Sequence, residues 1–263
     1  MKPVITSPAN PQVKRVCAYQ KKRKDRDRDG VFVAEGERLV SETPEEALLE
    51  LYVSASYRAA IPRDMERFFS RHEACTQVVS DEVFAKMSDT KSPQGVLAVV
   101  KRRFPGLIRP DKGPVLLLEE IQDPGNLGTI LRSSEAAGTA GVFLCGCTVD
   151  LYHPKTVRST MGSIFRVPVR QDDEDIAQRF LKLKADGFQI VAADMAGTTA
   201  YDAYDWRQPT ALVIGNEANG LSEEARHGAD ILLRIPMEGK NESLNAAVAA
   251  SVLLFEAARQ RRG

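Results

Sequence analysis

Short apolar runs alternate with amphipathic segments along the whole chain, a pattern that predicts an α/β protein in two parts. In the first part Val31 to Ala34, Leu51 to Val53, Gln77 to Val79 and Gly95 to Val100 read as strands, with helices between them. In the second the strands are stronger: Val115 to Ile121, Val142 to Cys145, Phe188 to Ala193, Ala211 to Ile214 and Ile231 to Ile235. Helical patterns at Thr156 to Ile164 and Ile176 to Ala185 separate strands there, which predicts a mostly parallel sheet covered on both faces. A long final helix starts near Leu244. On it Ala247, Val248, Ser251, Phe255 and Ala258 trace one apolar or small face, and Arg259, Arg261 and Arg262 suit the negative end of the helix dipole. The basic, Pro- and Gly-bearing stretch from Lys101 to Pro114 separates the two parts. The expected domains are therefore residues 1–105 and 115–263, with a linker at 106–114. Since chains rarely thread their own loops, pattern alone predicts an open, doubly wound sheet.

Three strand ends in the second part carry polar, glycine-bearing turns. The first follows the strand from Val115 and runs from Asp123 to Gly138: Asn126 suits a helix N-cap, Leu127, Ile130, Leu131 and Ala137 form the buried stripe, and Gly138 suits the stop. Arg132 lies off that stripe, near the sheet edge where α/β enzymes bind ligands. The second turn, Gly215-Asn216-Glu217-Ala218-Asn219-Gly220, combines glycines that allow close backbone approach with a carboxylate able to accept hydrogen bonds. The third runs from Ile235-Pro236-Met237 to Ser243-Leu244-Asn245 and places Ser243 and Asn245 beside the free amides of a helix start, which favour anionic or polar ligand atoms.

Composition narrows the chemistry. With 263 residues, 43% hydrophobic and 27% charged, the chain reads as an ordinary globular protein, and no apolar run is long enough to span a bilayer. The first residues lack the apolar core of a signal peptide, so the cytoplasm is the expected compartment. Cys17, Cys75, Cys145 and Cys147 are too scattered for a disulfide framework, and no metal-ligand spacing is present. Neither a phosphate loop nor a G-x-G-x-x-G fingerprint follows any strand, which disfavours NTP hydrolysis and standard dinucleotide binding. The formal net charge is zero, yet Lys14, Lys21, Lys22, Arg23, Lys24 and neighbouring arginines crowd one short segment. Such a run either neutralises nucleic-acid phosphates or forms a solvated helix face of alternating charge.

Taken together, the three turns resemble the signature motifs of the SpoU (TrmH) family of RNA ribose 2'-O-methyltransferases. The first motif matches at Asn126, Gly128, Arg132 and Glu135 to Gly138, the second at Gly215-Asn216-Glu217 with Gly220, the third at Ile235-Pro236-Met237 and Glu242-Ser243-Leu244-Asn245. Lys155, Val157, Arg158, Ser159, Gly162 and Phe165 are similar to the family's stretch between the first two motifs. Ala34-Glu35-Gly36 and Ser92-Pro93-Gln94-Gly95 resemble its L30e-like substrate-binding domain. Ala218 and Ala246 depart from the glycine and valine common there, both conservatively in size.

The resemblance implies a SPOUT-type fold: a mostly parallel sheet ending in a deep trefoil knot, preceded by a smaller L30e-like α/β domain. It implies S-adenosylmethionine as methyl donor, held by Gly215, Asn216, Glu217, Gly220, Ile235, Pro236, Met237, Ser243 and Leu244, with no metal. Arg132, Asn126, Glu217, Ser243 and Asn245 would form the catalytic set, and RNA, ribosomal or transfer, would be the partner. Lys14, Lys21, Lys22, Arg23, Lys24 and Arg158 would contact it, and the protein would be a homodimer through its C-terminal domain. A guanidinium stays protonated at ordinary pH, so Arg132 suits a grip on the target phosphate and on the developing alkoxide better than the role of base. Two other readings compete: a non-catalytic RNA-binding factor on the same fold, and a small-molecule α/β enzyme with a nucleotide cofactor.

Overall fold

The computed structural model describes residues 2–102, 108, 113–171, 174–239 and 243–263. Contacts divide the chain into two compact units, Met1–Arg103 with Asp150–Phe165, and Phe104–Val149 with Arg166–Gly263. The units part close to the expected boundary, but the expected content of the second domain needs correction at one segment. Residues Asp150–Phe165 follow a strand of the second unit in sequence but pack with the first, and most of the linker expected at 106–114 lies outside the described residues.

The first unit runs α1 (Pro11–Lys21), α2 (Arg23–Asp29), β1 (Val31–Glu35), α3 (Glu37–Ser41), β2 (Leu48–Ser54), α4 (Ala55–Ala59), α5 (Arg63–Arg71), β3 (Thr76–Val79), α6 (Asp81–Met87) and β4 (Val96–Lys101). Its four strands lie in the order β1-β4-β2-β3, antiparallel except for the parallel β2–β3 pair. Alternation decides what each face meets. Val31 and Val33 turn toward Val13, Val16 and Tyr19 of α1 and Val83, Phe84 and Met87 of α6. Phe32, between them, meets the later segment instead: its ring centroid lies 5.0 Å from Tyr152 and 6.0 Å from Phe165. Arg102 stacks its guanidinium 4.3 Å above the Tyr152 ring, and buried Arg26 forms an ion pair with Asp150.

Within that segment only Pro154–Ser159 is α-helix, labelled α8 in chain order, followed by a 3-10 turn at Ser163–Phe165. The longer helix expected over Thr156 to Ile164 is interrupted because Met161 and Gly162 adopt φ of 50° and 96°, which no α-helix accommodates.

The second unit contains β5 (Val115–Glu119), α7 (Pro124–Ala137), β6 (Gly141–Cys145), β7 (Val169–Gln171), α9 (Ile176–Ala185), β8 (Gln189–Ala193), β9 (Thr199–Ala200), β10 (Thr210–Ile214), α10 (Glu223–Gly228), β11 (Ile231–Arg234) and α11 (Ala246–Arg262). Its seven strands are all parallel, ordered β7-β6-β5-β10-β8-β11-β9. Short β7 and β9, which apolar pattern does not reveal, supply the two edges. Val115, Leu117, Ala211 and Val213 pack under Ile176, Phe180 and Leu183 of α9 and Ala225 of α10. Leu116, Leu118 and Leu212, pointing the other way, are equally inaccessible, so both faces are covered, as their near-continuous apolar runs require.

Helices α7 and α11 pack on each other, with the Ser133 and Ser251 hydroxyls 2.7 Å apart. The face of α11 expected to be apolar or small is corrected in part: its Ala247 and Ala258 are buried, but Val248 and Phe255 are not. Ala246, Ala250, Leu253, Leu254 and Ala257 are buried as well. The buried set follows the three-and-four spacing through the leucines, and Val248 and Phe255 fall on the opposite side.

Candidate active site

All three polar turns emerge beyond the carboxyl ends of β5, β10 and β11, on one edge of the sheet. After β5, Glu120 takes a left-handed conformation (φ 53°) and turns the chain toward α7. The cap of α7 is Asp123, whose carboxylate accepts from the Asn126 amide at 2.9 Å, with Pro124 in the first turn. Asn126 is therefore inside the helix and not its N-cap, a correction with a chemical consequence: its side chain is released for other partners.

Asn126 bridges the other two turns. Its Nδ2 donates to Glu217 Oε1 at 2.9 Å, and its Oδ1 accepts from Asn245 Nδ2 at 3.0 Å. The Glu217 carboxylate also accepts from the backbone amides of Gln122 and Asp123, at 3.0 and 3.1 Å. Partial burial pushes its pKa up, but the bond from Asn126 and these two amides outweigh that and hold it below the usual glutamate range.

The second turn closes on itself: Asn216 N donates to Gly220 O at 2.8 Å and Gly220 N to Asn216 O at 2.9 Å. Asn216 Oδ1 accepts from the amides of Ala218 and Asn219, while its Nδ2 reaches Glu120 O at 2.7 Å. Gly215 passes so close to the Gly220 backbone that a Cβ would sit 2.4 Å from it. The exit of the turn is held by buried Glu119, which accepts from the Ser222 amide at 2.9 Å and from its hydroxyl at 2.6 Å. Pattern reading missed Glu119 and Asp123. A carboxylate closing an apolar strand, and an Asp-Pro pair at a helix start, were the available signals.

In the third turn Asn245, not Ser243, caps α11, its Oδ1 accepting from Ala247 N at 2.9 Å and Val248 N at 3.3 Å. Glu242 lies outside the described residues. Two cavities adjoin here. One of about 400 Å³ is lined by Asn126, Glu217, Ser243 and Asn245 among others. A second, of about 500 Å³, is walled by Ile214, Leu221, Leu233, Ile235, Met237 and Leu244, with Gly215, Asn216, Gly220 and Ser243 also on its surface. Pro236 does not line either. The larger cavity matches the size and mostly apolar lining of a nucleoside-type ligand site, and Met237, 38% exposed, is an apolar side chain such a ligand would cover.

Arg132 lies exposed on α7, and no hydrogen bond or ion pair engages its guanidinium among the described residues. In the first unit Lys14, Lys21, Lys22, Arg23 and Lys24 are exposed, Arg23 lying 3.4 Å from Asp27. Arg158 differs from them. Its guanidinium is 2.8 Å from Asp89 and 4.0 Å from buried Glu35, so it serves to hold α8 against the rest of the first unit.

Residues 113–255 match the SpoU rRNA Methylase family, more than half of the chain. The chain belongs to that family. Residues 10–98 of this SpoU methylase match the MRM3-like substrate binding domain. It is 32% identical over 233 residues to the 23S rRNA (guanosine(2553)-2'-O)-methyltransferase RlmP of Bacillus subtilis, a match covering 89% of this chain and 90% of that one. Among solved structures, it resembles an AdoMet-bound rRNA methyltransferase from Sinorhizobium meliloti with a TM-score of 0.85 at 32% identity, covering 98% and 97% of the two chains. It also resembles the SpoU methyltransferase AviRb from Streptomyces viridochromogenes in complex with AdoMet, with a TM-score of 0.83 at 30% identity and 96% and 99% covered. The fold is therefore that of the SpoU (SPOUT) methyltransferases, an α/β sheet domain with a smaller N-terminal domain.

Proposed function

We propose that the protein transfers a methyl group from S-adenosylmethionine to a ribose 2'-hydroxyl of ribosomal RNA. The observation that carries this reading is the Asn126 bridge, which joins the first turn of α7 to the Glu217 and Asn245 turns beside an apolar cavity of donor size. Bound there, the donor supplies an electrophilic methyl on sulfonium. Gly215, Asn216, Gly220, Ile235, Met237, Ser243 and Leu244 would enclose it, Gly215 making room for the Gly220 backbone and Gly220 facing open space. Glu217 would fix the turns, and Asn126 with Asn245 would orient the side that faces the acceptor ribose. Arg132 would grip the target phosphate and offset negative charge on the attacking oxygen, the proton leaving to that phosphate or to water.

Target choice would rest with the first unit, where Lys14, Lys21, Lys22, Arg23 and Lys24 offer phosphate contacts. The exposed Val248 and Phe255, seven residues apart on one side of α11, support dimerisation through the C-terminal domain. An rRNA substrate is consistent with action in the cytoplasm, and no helix among the described residues is long and apolar enough to cross a membrane. The deciding experiment maps 2'-O-methyl groups in total RNA with and without the gene. Loss of one ribosomal position is expected, and an unchanged map with no methyl transfer by the purified protein would defeat the proposal.

A further inference from the structure

The larger cavity carries three charged side chains, Asp194, Glu217 and Arg226. Glu217 is committed to the α7 turn through its three N–H donors. Arg226 is committed to Asp194 and Glu223, each at 2.8 Å. Asp194 is different. One of its oxygens accepts from Ala196 N at 2.8 Å and the other from Arg226 Nε at 2.8 Å, and its side chain is only 10% exposed. A carboxylate offers about four lone-pair sites, so acceptor capacity remains on a group that a charged partner fixes in place at the cavity wall.

Position says which part of a donor this acceptor meets. Asp194 follows β8, and Asn126 follows β5, with β10 between them. The two strand ends are thus two spacings apart, about 10 Å. Methyl transfer requires the sulfonium at the Asn126 end, beside Ser243 and Asn245. The nucleoside must then extend toward β8, with its base against Leu221, Leu233, Ile235 and Met237. An acceptor-only group along that path meets the ribose hydroxyls.

Resting on the donor-pocket reading above, we propose that Asp194 accepts the ribose hydroxyls of the methyl donor, with Arg226 as the residue that positions it. Aspartate thereby becomes a determinant of donor specificity, selecting ribonucleoside over deoxyribonucleoside sulfonium compounds.

The test is calorimetric titration of S-adenosylhomocysteine, its 2'-deoxy and 3'-deoxy counterparts, and S-inosylhomocysteine into the full-length protein and Asp194→Ala. Wild type is expected to bind the deoxy ligands about tenfold or more weaker than S-adenosylhomocysteine, the scale of one hydrogen bond to a charged group. In Asp194→Ala that ratio is expected to collapse toward one, while discrimination against the inosyl ligand persists. Because the readout is a ratio on one protein, a general loosening of the β8 end cancels. Where Asp194→Ala binds too weakly to compare ligands, Asp194→Asn, which can keep the bond from Ala196, should show the same collapse. An unchanged deoxy ratio in the variants, or collapse of the inosyl ratio instead, overturns the assignment. Absence of S-adenosylhomocysteine binding by wild type would instead remove the donor-pocket reading itself.

Discussion

Glu217 accepts from three donors at the start of α7, the Gln122 and Asp123 amides and the Asn126 side chain, which makes the second motif an organiser of the first. Its pKa is depressed in the folded protein, so the stability it contributes is present above the ordinary glutamate value, about 4.3, and is lost as pH falls through the lower, folded value. Donor affinity should accordingly hold to about pH 5 and fail only in stronger acid. Glu217→Gln, which replaces one acceptor oxygen by a donor facing N–H groups, should weaken donor binding about tenfold or more and remove that acid limb. Titration of S-adenosylmethionine against pH checks both. Arg132 predicts a different split. Exposed on α7 and outside the residues lining either cavity, it can be lost without disturbing the donor. Arg132→Ala should bind S-adenosylmethionine nearly normally and lose most methyl transfer. Lysine should rescue it poorly, since a point charge does not reproduce the planar fork. Near-wild-type turnover in Arg132→Ala would contradict that role.

At the level of elements, the close passage of Gly215 and Gly220 leaves no room for a side chain at position 215. Gly215→Ala would place a methyl 2.4 Å from backbone, so the turn must open. Donor affinity should fall at least tenfold, on the order of 1.4 kcal/mol, while the buried sheet keeps the secondary structure seen by circular dichroism. Sequence made much of this domain legible: β5, β6, β8, β10 and β11 are nearly continuous apolar runs because both faces are covered, and such runs are hard to misread. Residue types at strand ends likewise marked Asn126, Glu217 and Asn245. What pattern could not supply is geometry that depends on tertiary partners. Asn126 suits a cap in isolation, yet Asp123 with Pro124 is the stronger start, and only the fold reveals what the released amide then does. Strand order was also beyond reach, since β10 inserts between β5 and β8 against the order of the chain. Asp194 is illegible for the same reason: nothing around it in sequence announces Arg226.

For the molecule as a whole, the telling feature is the return of Asp150–Phe165 to the first unit. Arg26 and Asp150 form a pair with side chains only 3% and 12% exposed, so Arg26→Ala leaves a carboxylate without its partner in a poorly hydrated place. The cost should be about 3–5 kcal/mol, read as a shifted urea midpoint for the first unit. Lys24→Ala, at an exposed position on the same helix, should leave that midpoint unchanged. A second whole-molecule prediction concerns association. Phe255→Glu on the exposed side of α11 should convert the proposed dimer to a monomer in light scattering, and a variant that stays dimeric would exclude that face from the interface. The returning segment also has a consequence for how the protein is made. Chain leaves the ribosome from its N-terminus, and domains ordinarily fold as they emerge. Here the strands of the first unit are complete at Lys101, but Tyr152 and Phe165, the aromatic cover for Phe32, are translated only after β5, α7 and β6. The N-terminal unit must therefore wait, with Phe32 and Arg26 uncovered, until the first strands of the methylase sheet have already been synthesised.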